Sequence, residues 1–354
     1  MQLSFFLVAA LALSAAHLLR LPNRGKVWVA SVAFLVGLLM TSGLIRGLAD
    51  LNNLGRSTAF DRIVNAAVAE AKQDPAPLIV FTGASYSRNA IDPERLTLAL
   101  REAGYPHRVI NLSIEAASVL ERHQHLEQFM RLSGRVPDVV FIETSQAFDT
   151  RVAFMFGNAK FTARAIEQYD LRTSLHTLSG LREGACQGVT GCAKDLVFLG
   201  LHTGLNLFNV GRIGRGEAAE EAGLETAWDP QYVPRAEVDP AEIERLSVAT
   251  VPIPNWIQTY RQNLHRALQA QGVREVAYYQ PPILSAEMRA YATQVCATEL
   301  AEHVCFAPTD PGLLAQLNGP VWFDADHLLD AGAAIYSRWL IMRLLESDVM
   351  AAPT

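Results

Sequence analysis

A serine near the front of the chain and a histidine near its end are the side chains best placed for chemistry. Ser85 follows the apolar run that ends in Thr82-Gly-Ala, and a glycine there lets the backbone turn sharply. A serine hydroxyl becomes a nucleophile when a base takes its proton. Asp324 precedes His327 by three positions, which is close enough in a turn to accept a hydrogen bond from imidazole Nδ1. The two segments together predict a Ser–His–Asp acyl-transfer site.

Each segment also has an ordinary structural explanation. Gly and Ser are common turn residues, and Asp324 is also a residue type that caps turns beside a solvated histidine. Asp326 is a second possible partner for His327, although the side chains of adjacent residues usually diverge. We therefore take Asp324 as the predicted partner and Ser85 as the predicted nucleophile.

Alternating apolar runs and amphipathic segments predict the scaffold for these residues. Strand patterns begin at Leu78, His107, Pro137 and Val276, with helical patterns between them and after the last. This alternation favours an α/β fold with a mostly parallel sheet and helices on both faces. Ligands bind such sheets beyond the carboxyl ends of the strands, which is where Ser85 is expected to lie.

The same patterns predict the division of the chain. The predicted parts are a membrane anchor (1–50), a linker (51–77), an α/β domain (78–346) and a tail (347–354). The α/β pattern is interrupted over about 148–251, which contains glycines and the apolar stretch Leu196–Val210. An insertion of this length is more often functional than idle, and we interpret it as a cap that shapes access of the substrate.

The apolar surplus is concentrated at the N-terminus. Leu3–Leu19 and Val27–Leu44 carry no charge, and the link between them contains Arg20, Arg24 and Lys26. Two transmembrane helices are therefore predicted, and the positive-inside rule places the link in the cytoplasm and the rest of the chain outside. A single anchor helix or a cleaved signal peptide are the alternatives, although the first run lacks a basic leader.

Charge and cysteine content restrict the partners and the compartment. The 354 residues carry 30 basic against 36 acidic side chains, for a net charge of −6, which argues against nucleic-acid binding. Cys186 and Cys192, and likewise Cys296 and Cys305, are close enough in sequence to form two local disulfides in an oxidising compartment. Metal binding and free buried thiols are the alternatives for these cysteines. No metal and no cofactor is predicted.

The motifs together resemble the SGNH/GDSL hydrolase superfamily. In that family the nucleophile lies in a Gly-x-Ser turn after the first strand, as in Gly83-Ala-Ser85, and the base and acid form Asp-x-x-His, as in Asp324–His327. The Ser-Arg-Asn-Ala-Ile-Asp-Pro93 continuation and the Phe-Asp-x-x-His-Leu-x-x-x-Gly-Ala phrase are similar to the membrane-anchored, extracytoplasmic branch, which includes D-alanylation and alginate O-acetylation proteins. The resemblance covers about 78–148 and 255–345, and it implies a three-layer flavodoxin-like domain.

The resemblance also implies a function. It implies O-acetylation, or another O-acylation, of a cell-surface or exported polysaccharide through an acyl-serine intermediate, on the periplasmic side of a bacterial inner membrane. The glycan would be the acceptor, and a multi-spanning membrane acyltransferase would deliver the acyl donor. Two other functions remain open: a non-catalytic scaffold subunit of an acylation or export complex, and an esterase or deacetylase at the membrane surface.

Two positions depart from the family's pattern for holding an oxyanion. Ser113 stands where the second block normally has glycine, although its backbone N–H remains a donor. The third block lacks the usual asparagine and offers Ser145 or Gln146 instead. The predicted donors are therefore the backbone N–H groups of Ser85 and Ser113, with Ser145 and Gln146 as candidates for the third. A missing donor costs about 3–4 kcal/mol of transition-state stabilisation.

Overall fold

A computed structural model gives the fold of the chain. It describes residues 24–51, 59–115, 117–144, 166, 168–183, 186, 188–207, 253, 255–307, 309–324 and 326–350. The first predicted membrane helix, Leu3–Leu19, lies outside these residues, as do Ser145 and Gln146.

The elements alternate much as the sequence predicts. In chain order they are α1 (Arg24–Leu51), α2 (Ala59–Gln73), β1 (Leu78–Thr82), α3 (Ser85–Ala90), α4 (Pro93–Glu102), β2 (Arg108–Asn111), α5 (Val119–Ser133), β3 (Val139–Glu143), α6 (Leu171–Arg182), α7 (Gly188–Leu207), α8 (Asn255–Ala270), β4 (Glu275–Tyr279), α9 (Ala286–Ala297), β5 (Cys305–Phe306), α10 (Pro311–Gln316) and α11 (Asp330–Glu346), followed by a 3-10 turn (Asp348–Met350). They form two compact units: helices α1, α6 and α7 make up one, and the sheet with its helices makes up the other.

The five strands form one all-parallel sheet in the order β2-β1-β3-β4-β5. The α/β architecture predicted from the sequence is therefore confirmed. Strand order reverses beside β1, because β2 lies on one side of it and β3 on the other. Open α/β sheets leave a crevice at the carboxyl ends of the strands at such a point, and Ser85 follows β1 there.

Both faces of the sheet are covered. Ile79 and Phe81 of β1 belong to a buried cluster that includes side chains of α4 and α11. Leu78 and Val80 alternate with them and are also fully buried, and α5 contacts β1 while α8 contacts β4. Burial on both faces explains why the strands are continuous apolar runs in the sequence.

Three elements differ from the sequence-based expectation. Helix α2 lies within the stretch predicted as a linker, and β5 was not predicted at all. The helical pattern of the sequence extends over about 286–302, but helix α9 ends at Ala297 because the chain turns back to place β5 beside β4. A disulfide between Cys296 and Cys305 joins the end of that helix to the strand.

The other unit contains the apolar helix. Among the described residues, one helix is long and apolar enough to cross a membrane, over Val27–Leu44. Helices α6 and α7 lie within the predicted insertion and pack together around Tyr169, Leu181 and Leu199. A disulfide joins Cys186 to Cys192, between the end of α6 and the first turns of α7.

Candidate active site

The turn between β1 and α3 presents Ser85 at the carboxyl edge of the sheet. Ser85 is the first residue of α3, and only Gly83 and Ala84 separate it from the strand. A Cβ atom on residue 83 would lie 2.6 Å from Ser87 Cβ and closer still to the Glu143 carboxylate. Glycine is therefore the residue that lets the turn approach the end of β3.

The loop before α11 brings the histidine to the same edge. Trp322 and Leu328 form an isolated antiparallel bridge, and Phe323 N–H donates to the carbonyl of His327 at 2.8 Å. Trp322 is buried and donates its indole N–H to the carbonyl of Leu317 at 2.7 Å. The loop is thus closed on itself and anchored in the core, so that the position of His327 is fixed by the fold.

Ser85, His327 and Asp324 form one hydrogen-bonded chain. Ser85 Oγ lies 2.7 Å from His327 Nε2, and His327 Nδ1 lies 2.7 Å from Asp324 Oδ1. A carboxylate only accepts hydrogen bonds, so Nδ1 carries the proton in the neutral ring and Nε2 is the acceptor for the serine hydroxyl. The distance from Ser85 Oγ to Nε2 is within the reach that a general base needs. Both side chains are partly exposed, at 20% for His327 and 29% for Asp324.

The two aspartates of the loop have different environments. Burial raises the pKa of Asp324, but hydrogen bonds from His327 and from the backbone N–H groups of Asp326 and His327 outweigh it, so the pKa is lowered overall. Burial, and then the charge of Asp324, raise the pKa of Asp326. The loop therefore favours the charged form of Asp324 over that of Asp326, and Asp324 is also the carboxylate that contacts the imidazole.

An aromatic ring covers the imidazole. Tyr86 stacks on His327 with ring centroids 5.3 Å apart and planes 25° from parallel. Tyr86 is buried, and this burial raises the pKa of its hydroxyl well above the usual range. A neutral ring that restricts imidazole rotation keeps Nε2 directed at Ser85.

A buried ion pair stabilises the turn that carries Ser85. The Glu143 carboxylate, at the end of β3, accepts the backbone N–H of Ala84 at 2.9 Å and the hydroxyl of Ser87. Its other oxygen pairs with Arg122 at 3.1 Å, and the side chains are 0% and 2% exposed respectively. Arg122 also donates to the carbonyls of Glu143 and Ala117. The charged pair therefore ties the turn that carries Ser85 to β3 and α5.

The predicted second oxyanion donor is already engaged. The backbone N–H of Ser113 donates to Asn111 Oδ1 at 3.0 Å. The amide nitrogen of Asn111 donates in turn to the carbonyls of Ser87 and Ile91. Ser85 opens α3, so its own N–H has no acceptor within the helix. Of the predicted donors within the described residues, Ser85 N–H is thus the one available to a substrate.

The four cysteines predicted as disulfide candidates form two disulfides. Cys186 bonds to Cys192 in the unit of α1, α6 and α7, and Cys296 at the end of α9 bonds to Cys305 in β5. Over the described part of the chain, no cluster of His, Cys, Asp and Glu has the composition of a metal site.

Two features of the site were not anticipated from the sequence. The Glu143–Arg122 pair joins residues 21 positions apart, and the stack of Tyr86 on His327 joins distant segments. The sequence signal for the ion pair was the glutamate at the end of an otherwise apolar strand, because a buried carboxylate needs a partner.

No family model matches the chain, and no curated protein sequence matches it.

Proposed function

We propose that this chain is a membrane-anchored serine acyl-transfer enzyme of the SGNH type, with a flavodoxin-like domain. The observation that carries the proposal is the chain of contacts from Ser85 Oγ through His327 to Asp324, each 2.7 Å long. The strand order 2-1-3-4-5, which also occurs in flavodoxin-like folds, supports this domain type. The position of Ser85 after β1, where such folds bind ligands, supports the site.

The chemistry follows from the direction of the hydrogen bonds. Ser85 Oγ attacks the carbonyl carbon of an acyl ester or thioester as its proton moves to His327 Nε2. The tetrahedral intermediate collapses, the leaving alcohol or thiol takes the proton from Nε2, and the acyl group remains on Ser85. A second hydroxyl then gives its proton to Nε2 and attacks the acyl-serine. The second tetrahedral intermediate collapses, Ser85 Oγ takes the proton back from Nε2, and the acceptor leaves with the acyl group. Asp324 remains a carboxylate and stabilises the imidazolium in both halves.

The acceptor decides the reaction class. A sugar hydroxyl as acceptor gives O-acylation, most simply O-acetylation, of a cell-surface or exported glycan, and water gives deacylation. The apolar helix α1 supports a membrane location, where a multi-spanning acyltransferase is the natural source of an activated acyl group. Two disulfides support an oxidising compartment, which for a bacterial inner-membrane protein is the periplasmic side.

A fluorophosphonate probe tests the acyl-serine step directly. The full-length protein in detergent should be labelled on Ser85, and His327→Ala should abolish the labelling because no base remains. His303→Ala is the matched control, since this exposed histidine lies elsewhere and its loss should leave labelling unchanged. Folded protein that is not labelled at Ser85 would overturn the proposal.

Transfer and hydrolysis are separated by a second measurement. An acetyl ester that acylates Ser85 should release acetate slowly in buffer and faster when acetylatable oligosaccharides are added, with acetyl appearing on the sugar. Acetate release that no glycan changes would assign the protein as an esterase.

A non-catalytic scaffold is the second candidate, and one observation favours it. Ser113 N–H is held by Asn111, and the third strand ends in a carboxylate rather than a donor. Among the described residues Ser85 N–H is then the one predicted donor left, and each missing donor costs about 3–4 kcal/mol. A scaffold would bind glycan without being labelled at Ser85, so the same probe distinguishes the two functions.

A further inference from the structure

Helix α7 carries an exposed apolar face. The face, which we call the apolar stripe, consists of Val189, Ala193, Leu196, Val197, Gly200 and Leu201. Spacings of three and four residues place these positions on one side of a helix. Val189 is 90% exposed and Val197 is 60% exposed.

The opposite face of α7 is fixed by packing. Leu199, His202 and Asn206 are buried, and the amide of Asn206 donates to the carbonyl of Ile166 at 2.7 Å. The disulfide between Cys186 and Cys192 ties the first turns of α7 to the end of α6. The helix therefore has a defined orientation, and its stripe is a stable surface.

The stripe belongs to the same unit as the apolar helix α1. The hydroxyl of Ser42 donates to the carbonyl of Leu207, which is one of the last carbonyls of α7 and has no partner within that helix. Ser42 lies near the carboxyl end of the apolar run Val27–Leu44. The side chains around it on α1, such as Met40 and Leu44, are 72% and 64% exposed. Wherever α1 crosses a bilayer, the end of α7 is held beside one end of the crossing.

Helix α7 does not have the composition of a second crossing. Lys194 and Asp195 lie within it, and charges at the centre of a bilayer are costly. Lys194 lies over the ring of Phe198, with Nζ 5.9 Å from the ring centroid. A helix with an apolar face and a charged flank typically lies along a membrane interface, with its apolar side in the lipid.

We propose that α7 is an interfacial helix whose apolar stripe inserts into the lipid next to α1. The occupant of the stripe is thus the acyl-chain region of the bilayer, because that is what surrounds the exposed side chains of α1. The proposal requires α1 to cross the membrane, but it does not depend on acyl transfer at Ser85.

Spin-label accessibility of the full-length protein in phospholipid nanodiscs tests the proposal. The four native cysteines are all in disulfides, so Val197→Cys provides one free thiol for a nitroxide. Leu35→Cys on α1 is the lipid reference, and Leu98→Cys on α4, a leucine that is 59% exposed, is the water reference. Mass spectrometry of the Cys186–Cys192 bridge verifies the fold, and Leu201→Cys replaces Val197→Cys if that variant is misfolded.

The label at residue 197 should behave like the label at residue 35. Oxygen, which concentrates in lipid, should relax it strongly, and a water-soluble nickel chelate should relax it several-fold less than at residue 98. Chelate accessibility equal to that at residue 98 would overturn the proposal. So would protection from both reagents, because the stripe would then be covered by protein. Access of the chelate to the label at residue 35 would also overturn the proposal, because α1 would then not lie in lipid.

Discussion

The buried pair of Arg122 and Glu143 permits a prediction that separates stability from positioning. Replacing Glu143 by leucine leaves a guanidinium that is 2% exposed without its charged partner. Breaking a buried pair from one side costs about 3–5 kcal/mol. Since a whole domain is stable by only about 5–15 kcal/mol, Glu143→Leu should lower the free energy of unfolding by a large fraction of the total.

Removing both charges should restore most of that stability. Apolar replacement of a complete buried pair is often neutral or stabilising, so Glu143→Leu combined with Arg122→Met should be clearly more stable than Glu143→Leu alone. Urea unfolding of the full chain in detergent measures this, with fluorescence of the buried Trp322 and Trp339 as the signal. Additive losses in the double variant would refute the coupling.

Labelling of Ser85 should respond differently from stability. In the double variant Ala84 N–H still lacks the acceptor that it has at 2.9 Å in the native protein. One lost buried hydrogen bond is equivalent to about 1–3 kcal/mol, so the rate of fluorophosphonate labelling should remain roughly tenfold or more below that of the native protein. Recovery of stability without recovery of labelling is the expected signature of a positioning residue.

A second buried pair provides the matched control. Arg261 and Glu299 are 2.8 Å apart with side chains 2% and 4% exposed, and neither belongs to the Ser85 turn. Glu299→Leu should therefore cost a similar amount of stability and leave the labelling rate of the folded protein unchanged. If it slows labelling as much as Glu143→Leu does, the reasoning about Ala84 is wrong.

Three further predictions concern the loop, the turn and a disulfide. Folding lowers the pKa of Asp324. Its carboxylate therefore stabilises the folded protein at pH values above the pKa that it has in the unfolded chain, and this contribution is lost as pH falls through the pKa of the folded state. In urea titrations, the stability difference between wild type and Asp324→Asn should shrink between about pH 6 and about pH 3. Gly83→Ala should abolish labelling of Ser85, because the new Cβ would lie 2.6 Å from Ser87 Cβ; unchanged labelling would contradict the close approach. Serine replacement of Cys296 and Cys305, nine positions apart, should lower the free energy of unfolding by about 2–3 kcal/mol; an unchanged urea midpoint would show that the packing of β5 suffices.

The sequence predicts the strands well because their burial is continuous. Strand β1 has the predicted bounds Leu78–Thr82, and the start of α4 follows from Asp92, whose side chain accepts the N–H groups of Glu94 and Arg95. Local signals of this kind depend only on neighbouring residues. Strand β5 has only two residues and owes its place to β4 and to a disulfide, so no local pattern indicates it.

Helices α6 and α7 show where local propensity misleads. Gly200 and Gly204 each disfavour a helix by about 1 kcal/mol relative to alanine, and the segment therefore reads as an irregular insertion. Packing of α7 against α6 stabilises the helix despite its low helix propensity. Helix α2 was missed in a stretch predicted as a linker, although Val64, Ala67, Val68 and Ala71 have helical spacing and are buried.

The candidate site also has a part that the sequence predicts and a part that it does not. The structure brings Ser85, His327 and Asp324 together as the motifs predict, and their catalytic role remains a prediction. Short motifs reveal residue types and order, but not which donors are already engaged. The bond from Ser113 N–H to Asn111 depends on the path of the chain after β2, which spacing alone does not give.

The contact between Ser85 and His327 joins positions 242 residues apart. Synthesis from the N-terminus produces Ser85 long before His327. Ser85 therefore lacks its contact with His327 until the last part of the chain has folded. On the proposed mechanism, a truncation that removes the final thirty or so residues would leave Ser85 without the base that it needs for acylation.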